Sequence, residues 1–298
     1  MRRKKKKMIW IIPVVIVVIA LGIVGIFAQH FLMSSGTKTT VSTSLANNPV
    51  KTEQSNGYIA SSSTAVASGS MNVVADVGAP QWVKVPSSTN LARFTDLSKG
   101  DLTIYRINNP EVLKTASSLM APRTLMNDEI AKYPNTLIMN ASAFDMNNGK
   151  IVGFQINNGQ LLQDWNATGM QYTFVINKDG SCKIYDSSTP ASTIIQNGAA
   201  QSYDFGTALI RDGKVVPSDG SVNWEIHTFI GNDKDNNLYV IISATNAGYE
   251  NIMNGVSSFN LENLLELDSG GSSQLSVNGK VVVPSQDNRA VPDYIIMK

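Results

Sequence analysis

Three textures follow one another along the chain. From Ile9 to Ala28 the residues are apolar without a single charge. From Ser34 to about Thr64 they are small and polar, with many serines and threonines and little to bury. From Asn90 onward short β-prone runs alternate with tight-turn signals, and several match the chemistry of hairpins. The clearest are GFQI-Asn157-Asn158-Gly159-QLL, TFVINK-Asp179-Gly180-SCKIY, TALIR-Asp212-Gly213-KVV and QLSV-Asn278-Gly279-KVVV. Asn-Gly and Asp-Gly supply the positive φ angles that two-residue hairpin turns need. TFIGN-DKDNN-LYVIIS has the same form with a longer loop. Helical signals are few. Pro110 to Met120 puts Val112, Thr115, Ala116 and Leu119 on one face with Pro in the first turn, and Asn127 to Tyr133 is a second, short segment. The pattern predicts an α+β domain, mainly antiparallel β-sheet with a few short helices.

The first texture predicts a membrane anchor. At ~1.5 Å rise per residue, roughly 20 apolar residues span the ~30 Å hydrocarbon core of a bilayer. Arg2, Arg3 and Lys4 to Lys7 precede the run, and basic residues stay cytoplasmic, so the C-terminal part is expected outside the cell membrane. A cleavable signal shares this charge order but has a shorter core of about 7–15 residues. Ile26-Phe27-Ala28 is also a poor small-x-small cleavage site. The expected organisation is a basic run and single transmembrane helix over 1–32, a flexible Ser/Thr-rich stalk over 33–85, and a globular domain over 86–298. Trp82 and Val83 stand at that domain's margin.

Composition changes this picture in two ways. The formal net charge of +1 over 298 residues conceals an asymmetry. From Asn90 onward, 15 lysines and arginines face 21 aspartates and glutamates, which leaves the globular part near −6. An acidic surface without a basic patch argues against nucleic acid as a partner. Cys182 is the only cysteine, so no intrachain disulfide and no thiolate metal site can form. No cofactor is implied.

Candidate chemistry is sparse. His227 is the only histidine beyond the membrane edge, and no G-x-S-x-G elbow accompanies it for a serine hydrolase. The same count excludes a zinc site built on histidines, and no other metal site is expected. Asp233-Lys-Asp235-Asn-Asn237 shares its first positions with a calcium loop, but Leu238 and Ala244 replace the glycine and glutamate such a loop needs. A hairpin loop is expected there instead. The most unusual string is Leu265-Glu-Leu-Asp268-Ser-Gly270-Gly271-Ser272-Ser273, where an apolar run ends in an acid, two glycines and two serines. Glycines let backbone N–H groups approach an anion and serine hydroxyls add donors, with Asp268 at the mouth of such a nest. A plain Gly-rich turn between strands is the alternative. A second string, Thr136-Leu-Ile-Met139-Asn140-Ala-Ser142-Ala-Phe144-Asp145, runs a buried strand into small residues flanked by Asn140 and Asp145.

Taken in order, these motifs resemble the phosphodiester glycosidase family, bacterial relatives of the N-acetylglucosamine-1-phosphodiester α-N-acetylglucosaminidase. Members carry Asn-Gly-Gly-Phe-Phe-Asp, a Gly-dependent hairpin, Phe-Gly-Pro…Arg-Asp-Gly, and near the C-terminus Leu-Asp-Gly-Gly-Gly-Ser-Ser…Asn-Gly…Arg-Pro-Val. Here stand NASAFD at 140–145, GFQINNGQLL at 153–162, Phe205-Gly206 to Arg211-Asp212-Gly213, LDSGGSS at 267–273, Asn278-Gly279 and Arg289-Ala-Val-Pro. The resemblance covers about Leu102 to Met297. It marks a divergent member: His227 stands for the usual arginine, Asp-Gly-Gly-Gly is Asp-Ser-Gly-Gly, and the helix before the Gly-rich loop is confined to Ser257–Leu265.

The resemblance implies a membrane-anchored, extracytoplasmic hydrolase of sugar phosphodiesters in cell-wall or exopolysaccharide metabolism. Glycoside chemistry needs carboxylates that protonate the leaving oxygen, activate water or stabilise an oxocarbenium-like centre. Asp268 and Asp145, with Asn140 beside them, are the catalytic candidates. His227, Gly270, Gly271, Ser272, Ser273 and Arg289 are the phosphate-binding candidates, and Arg211 is read as a hairpin charge. The altered motifs leave an alternative, an inactive surface module that binds a wall polysaccharide or a teichoic-acid-like polymer.

Overall fold

A computed structural model describes residues 71–165, 170–223, 225–245 and 247–298 of the chain. The Ile9–Ala28 run and the Ser34–Thr64 stretch lie outside the described residues. Among those described, no helix is long and apolar enough to cross a membrane.

Strand pairing is antiparallel throughout these residues and builds two large sheets. One has six strands in the order β1 (Val83–Lys84), β4 (Glu111–Lys114), β18 (Tyr294–Met297), β5 (Leu137–Asn140), β16 (Leu275–Val277) and β17 (Lys280–Val283). The other has seven: β12 (Lys214–Val215), β11 (Ala208–Arg211), β15 (Leu261–Leu267), β13 (Thr228–Asp233), β14 (Leu238–Ser243), β3 (Leu102–Ile107) and β2 (Phe94–Asp96). A three-stranded sheet, β10 (Ala199–Tyr203), β8 (Tyr172–Asn177) and β9 (Cys182–Asp186), and a hairpin, β6 (Gln155–Asn157) and β7 (Gln160–Gln163), complete the set.

Period-two alternation decides which side chains meet between the sheets. Leu137, Met139, Ile295 and Met297 of the six-stranded sheet join Ile230, Val240, Ile242, Leu265 and Leu267 of the seven-stranded one in a single core, with Phe174, Ile176 and Tyr203 from the small sheet. Their neighbours in sequence point the other way. Ile138, Tyr294 and Ile296 lie under α1 (Met126–Lys132), which adds Met126 and Ile130. Ile104, Phe229, Ile241 and Leu264 lie under α3 (Tyr249–Val256), which adds Ile252 and Val256. A short α2 (Ala191–Gln196) covers the β6–β7 hairpin. The result is helix, sheet, sheet, helix, an α+β arrangement dominated by antiparallel strands.

All five expected hairpins form, and Asn158 (φ 49°) with Gly159 (φ 72°) shows why the sequence needs Asn-Gly there. Two expected helices do not. Residues 110–120 contain β4, whose Val112 and Leu113 face opposite cores while Val83 and Met297 flank it. A helix would bury one face only, and burial on both faces wins over local preference. The helix expected over Ser257–Leu265 lies earlier, at α3, and Asn260 (φ 50°) turns the chain into β15, which is central between β11 and β13. The domain also starts sooner than expected. Val74 donates to the Leu161 carbonyl, Val77 to Ser117, and Asn158 Nδ2 holds the carbonyls of Val77 and Ala79. Val85 is wholly buried. Residues 74–85, expected as the end of the stalk, are therefore seated on the domain.

A chain begun at Pro86 should unfold roughly 5–10 °C below one begun at Met71, because burying Val85 and half of Trp82 contributes about 3 kcal/mol. Equal melting temperatures by differential scanning calorimetry would show that the 74–85 segment contributes nothing.

Candidate active site

Consecutive strands β15 and β16 lie in different sheets, so the chain crosses between layers over Asp268–Gln274. Asn140, the last residue of β5, brackets that crossing. Its Nδ2 donates to the Asp268 carbonyl at 2.6 Å, and its Oδ1 accepts the Gln274 N–H at 3.0 Å. The side chain is completely buried, where both bonds are at full strength. The Asp268 N–H donates to the Ala141 carbonyl, tying the loop to the residue after Asn140.

Within the crossing, Gly270–Ser272 form one 3₁₀ turn. Its amides are largely engaged: Gly270 N–H donates to Ile226, Ser272 to Ser269, and Ser273 to Gly270. Ser269 Oγ accepts the Thr228 N–H, and Thr228 Oγ1 donates to Ser273 Oγ at 2.9 Å, which pins the loop to β13. Arg289 comes from the segment before β18. Its Nη1 donates to Ser272 Oγ at 3.3 Å, and its Nε and Nη2 reach Asp287. The guanidinium lies over Gly271, where a Cβ would sit 2.5 Å from Nη2. Any larger residue there would displace the guanidinium from this position.

Asp268 carries the most unusual electrostatics of this group. Burial pushes its carboxyl up to about 7, against the Ser272 hydroxyl, the Arg289 charge and the Ser269 amide, all of which favour the ionised form. Its Oδ2 is buried and has no hydrogen-bond partner. A buried acceptor left without a donor costs about 1–3 kcal/mol.

Beside the loop a cavity of about 380 Å³ opens between Tyr172, Phe205, Asp219, Glu225, His227 and Glu266. Glu225 connects the two, since a Cβ on Gly270 would lie 3.6 Å from its Oε2. His227 Nδ1 meets Glu266 Oε1 at 2.5 Å and Nε2 meets the Asn223 carbonyl at 2.7 Å. A carbonyl only accepts, so Nε2 carries a proton, and a carboxylate at Nδ1 favours the doubly protonated ring. Burial opposes that charge, but the Glu266 hydrogen bond, the Asn223 carbonyl and the Glu225 charge together raise the histidine above its usual value.

Comparison with known proteins fits this geometry. The family model for phosphodiester glycosidase matches residues 135–298, from just before β5 to the end of the chain. The chain belongs to the phosphodiester glycosidase family. Among curated proteins it is 30% identical over 188 residues to the SPbeta prophage-derived uncharacterized protein YomE of Bacillus subtilis (strain 168), covering 56% of this chain. The chain spans only 28% of that relative's length. Among solved structures, the zebrafish N-acetylglucosamine-1-phosphodiester alpha-N-acetylglucosaminidase catalytic domain, auto-inhibited by its pro-peptide, superposes with a TM-score of 0.56 at 17% identity. That match covers 73% of this chain and 87% of the zebrafish chain, and it establishes a shared fold.

Within this phosphodiester glycosidase domain the candidates from sequence are distributed unevenly. Asp268, Asn140, Gly270, Gly271, Ser272, Ser273 and Arg289 meet at one crossing loop, but Asn140, Ser272 and Ser273 are buried and hold it rather than face outward. The amide nest does not form, since Gly270, Ser272 and Ser273 spend their N–H groups inside the fold. His227 is displaced from the role of phosphate contact, because both ring nitrogens are occupied and only 5% of the residue is exposed. Asp145 closes its own turn, accepting from Asn147 N–H and Asn148 Nδ2, and no hydrogen bond joins it to the Asp268 loop among the described residues. Arg211 pairs with Asp186 at 2.6 Å, as a hairpin charge. Glu266 escaped the sequence reading, although a lone acid inside the apolar run Leu264-Leu265-Glu266-Leu267 was the available signal.

Asn140→Ala leaves the Gln274 N–H and the Asp268 carbonyl buried and unpaired, at about 1–3 kcal/mol each. A total loss of roughly 2–5 kcal/mol by urea denaturation is expected on that basis, and an unchanged midpoint would remove the bracket's importance. A raised histidine stabilises the fold fully below its unfolded value near about 6.5 and loses that contribution as pH climbs through the folded value. The stability gap between the parent and His227→Gln should therefore be larger at pH 6 than at pH 9. A gap that widens with pH would contradict the charged His227–Glu266 pair.

Proposed function

We propose that this domain hydrolyses glycosyl 1-phosphodiesters, with Asp268 activating water and Arg289, steadied by Ser272 Oγ, holding the phosphate together with the Gly271 amide. The observation that carries this is the buried Asp268 Oδ2, unpartnered and within the field of the Arg289 guanidinium. A phosphate monoester leaves readily without a proton, so the harder task is delivering water to the anomeric carbon. A carboxylate raised to about 7 is a stronger base than one in water and is still half ionised at neutral pH. In the step, the glycosyl C1–O bond breaks with its electron pair going to the phosphate oxygen. The water oxygen bonds to C1, and its proton passes to Asp268.

The basic run and the Ile9–Ala28 segment support placing this domain outside a cytoplasmic membrane on a tether, where wall or exopolysaccharide glycosyl phosphates are the accessible class. A second reading, binding of a wall polymer without turnover, draws on one observation. Most of the loop amides that could hold a transition state are already engaged.

The methyl diester of N-acetylglucosamine 1-phosphate, the linkage in the zebrafish protein's name, is the first probe. Sugar release should rise with pH through about 7 as Asp268 ionises, and Asp268→Asn should lower it by roughly 10²–10⁴-fold while the melting temperature holds or increases. Saturable binding of a wall polymer with no release from any glycosyl diester would establish the binding module instead.

A further inference from the structure

The cavity beside the loop holds a carboxylate that the water-activating role of Asp268 does not use. Glu266 sits on β15 across from Phe229 of β13, and His227, two residues before Phe229, reaches it diagonally on the same face. His227 occupies Oε1 only. Among the described residues no donor meets Oε2, and the space for it exists because residue 206 is glycine, where any Cβ would collide with that oxygen. Glu266 is 3% exposed and lines the cavity. A buried ion pair is weak evidence for stability, since desolvation can exceed the attraction. Its evident consequence here is a carboxylate fixed in orientation, with one oxygen packed against Gly206 in the cavity lining.

The rest of the lining says what could meet that oxygen. Asp219, Glu225 and Glu266 contribute three carboxylates, while among the described residues no lysine or arginine lines the space. Asp219 is held below its usual range by the Ser221 hydroxyl and N–H, so its charge persists in mild acid. An anionic group would be repelled. Tyr172 and Phe205 supply apolar surface on which a sugar ring can rest, and hydroxyl groups can donate to the acids.

We propose that this cavity seats the glycosyl unit of the substrate as a neutral polyhydroxyl ring, with Glu266 as the specificity-determining acceptor of a ring hydroxyl and His227 as its positioning residue. The inference rests on the hydrolase reading and gives the substrate a direction: sugar toward Glu266, phosphate toward Arg289. Acidic sugars are excluded from this seat by the carboxylates.

The test uses the full-length chain and the methyl diesters of glucose, N-acetylglucosamine and glucuronic acid 1-phosphates, with single-deoxy versions of the preferred neutral sugar. At least one deoxy position should raise KM roughly tenfold or more in the parent, as expected for a lost hydrogen bond to a charged group, with kcat within about threefold. In Glu266→Gln the same omission should change KM less than about twofold, since the interaction is already gone. His227→Gln should raise KM for the intact sugar while kcat stays within about threefold, a split that a merely structural role would not give. The glucuronic acid diester should be the poorest substrate. Equal deoxy penalties in the parent and Glu266→Gln, or preference for the acidic sugar, would overturn the seat. In parallel, the His227 ring resonances, assigned by their loss in His227→Gln, should shift when the neutral sugar 1-phosphate is added. Such a shift without turnover of any diester removes the hydrolase reading and leaves the seat standing. No shift at saturating sugar phosphate removes the seat.

Discussion

Asn140 fixes what apolar packing alone leaves open. The two large sheets meet through Leu137, Met139, Leu265, Leu267 and Ile295, and such contacts are non-directional. They set the spacing of the layers but not the path of the chain that crosses between them. The Asn140 amide supplies direction, because it accepts at one end of the crossing and donates at the other, both in a fully buried setting. An aspartate could not donate to the Asp268 carbonyl, and an apolar residue could satisfy neither group. The placement of Asp268, Ser272 and the ground under Arg289 depends on this side chain together with the Thr228 contacts to Ser269 and Ser273.

Asn140 itself stands on a buried polar floor. Lys114 of β4 is wholly buried, pairs with Asp293, and donates to Ser142 Oγ at 2.9 Å. Ser142 donates to Asp293 at 2.6 Å and lies near Gln155, whose Nε2 donates to Asp204 at 2.7 Å. Burial raises Asp204 to about 8, although the Phe154 N–H and the Lys114 charge oppose it. Because Ser142 follows Asn140 by two residues, the same network that satisfies Lys114 also holds the end of β5 in register.

The hairpins and the alternation of the large strands were legible because they are local. Asn-Gly at 158–159 and 278–279 fixes a turn with two residues, whatever the rest of the chain does. Residues 110–120 were not, since Val112 and Leu113 are apolar neighbours that fit a helix face as well as a strand buried on both sides. Only pairing with Val83 and Met297, both distant in sequence, decides between them. The same limit governed the site. The Asp268 loop was visible as an unusual string, and its link to Asn140 came from the family's order of motifs. The pairing of His227 with Glu266 depends on the register of β13 against β15, which no spacing in the sequence reveals.

That register also bears on how an acidic domain could accept the anionic substrate proposed for it. Repulsion between the substrate and distant surface acids is screened beyond about 10 Å at moderate salt, so the net charge matters less than the groups at the site. There the charges are segregated. Arg289 stands over Gly271 on one side, and the carboxylates of Asp219, Glu225 and Glu266 gather on the other, with His227 compensating one of them. A field of that shape does little for overall affinity but strongly disfavours the reversed orientation of a ligand charged at one end. Without the His227 cation, Glu266 would stand unpaired in the cavity wall and this polarity would be lost.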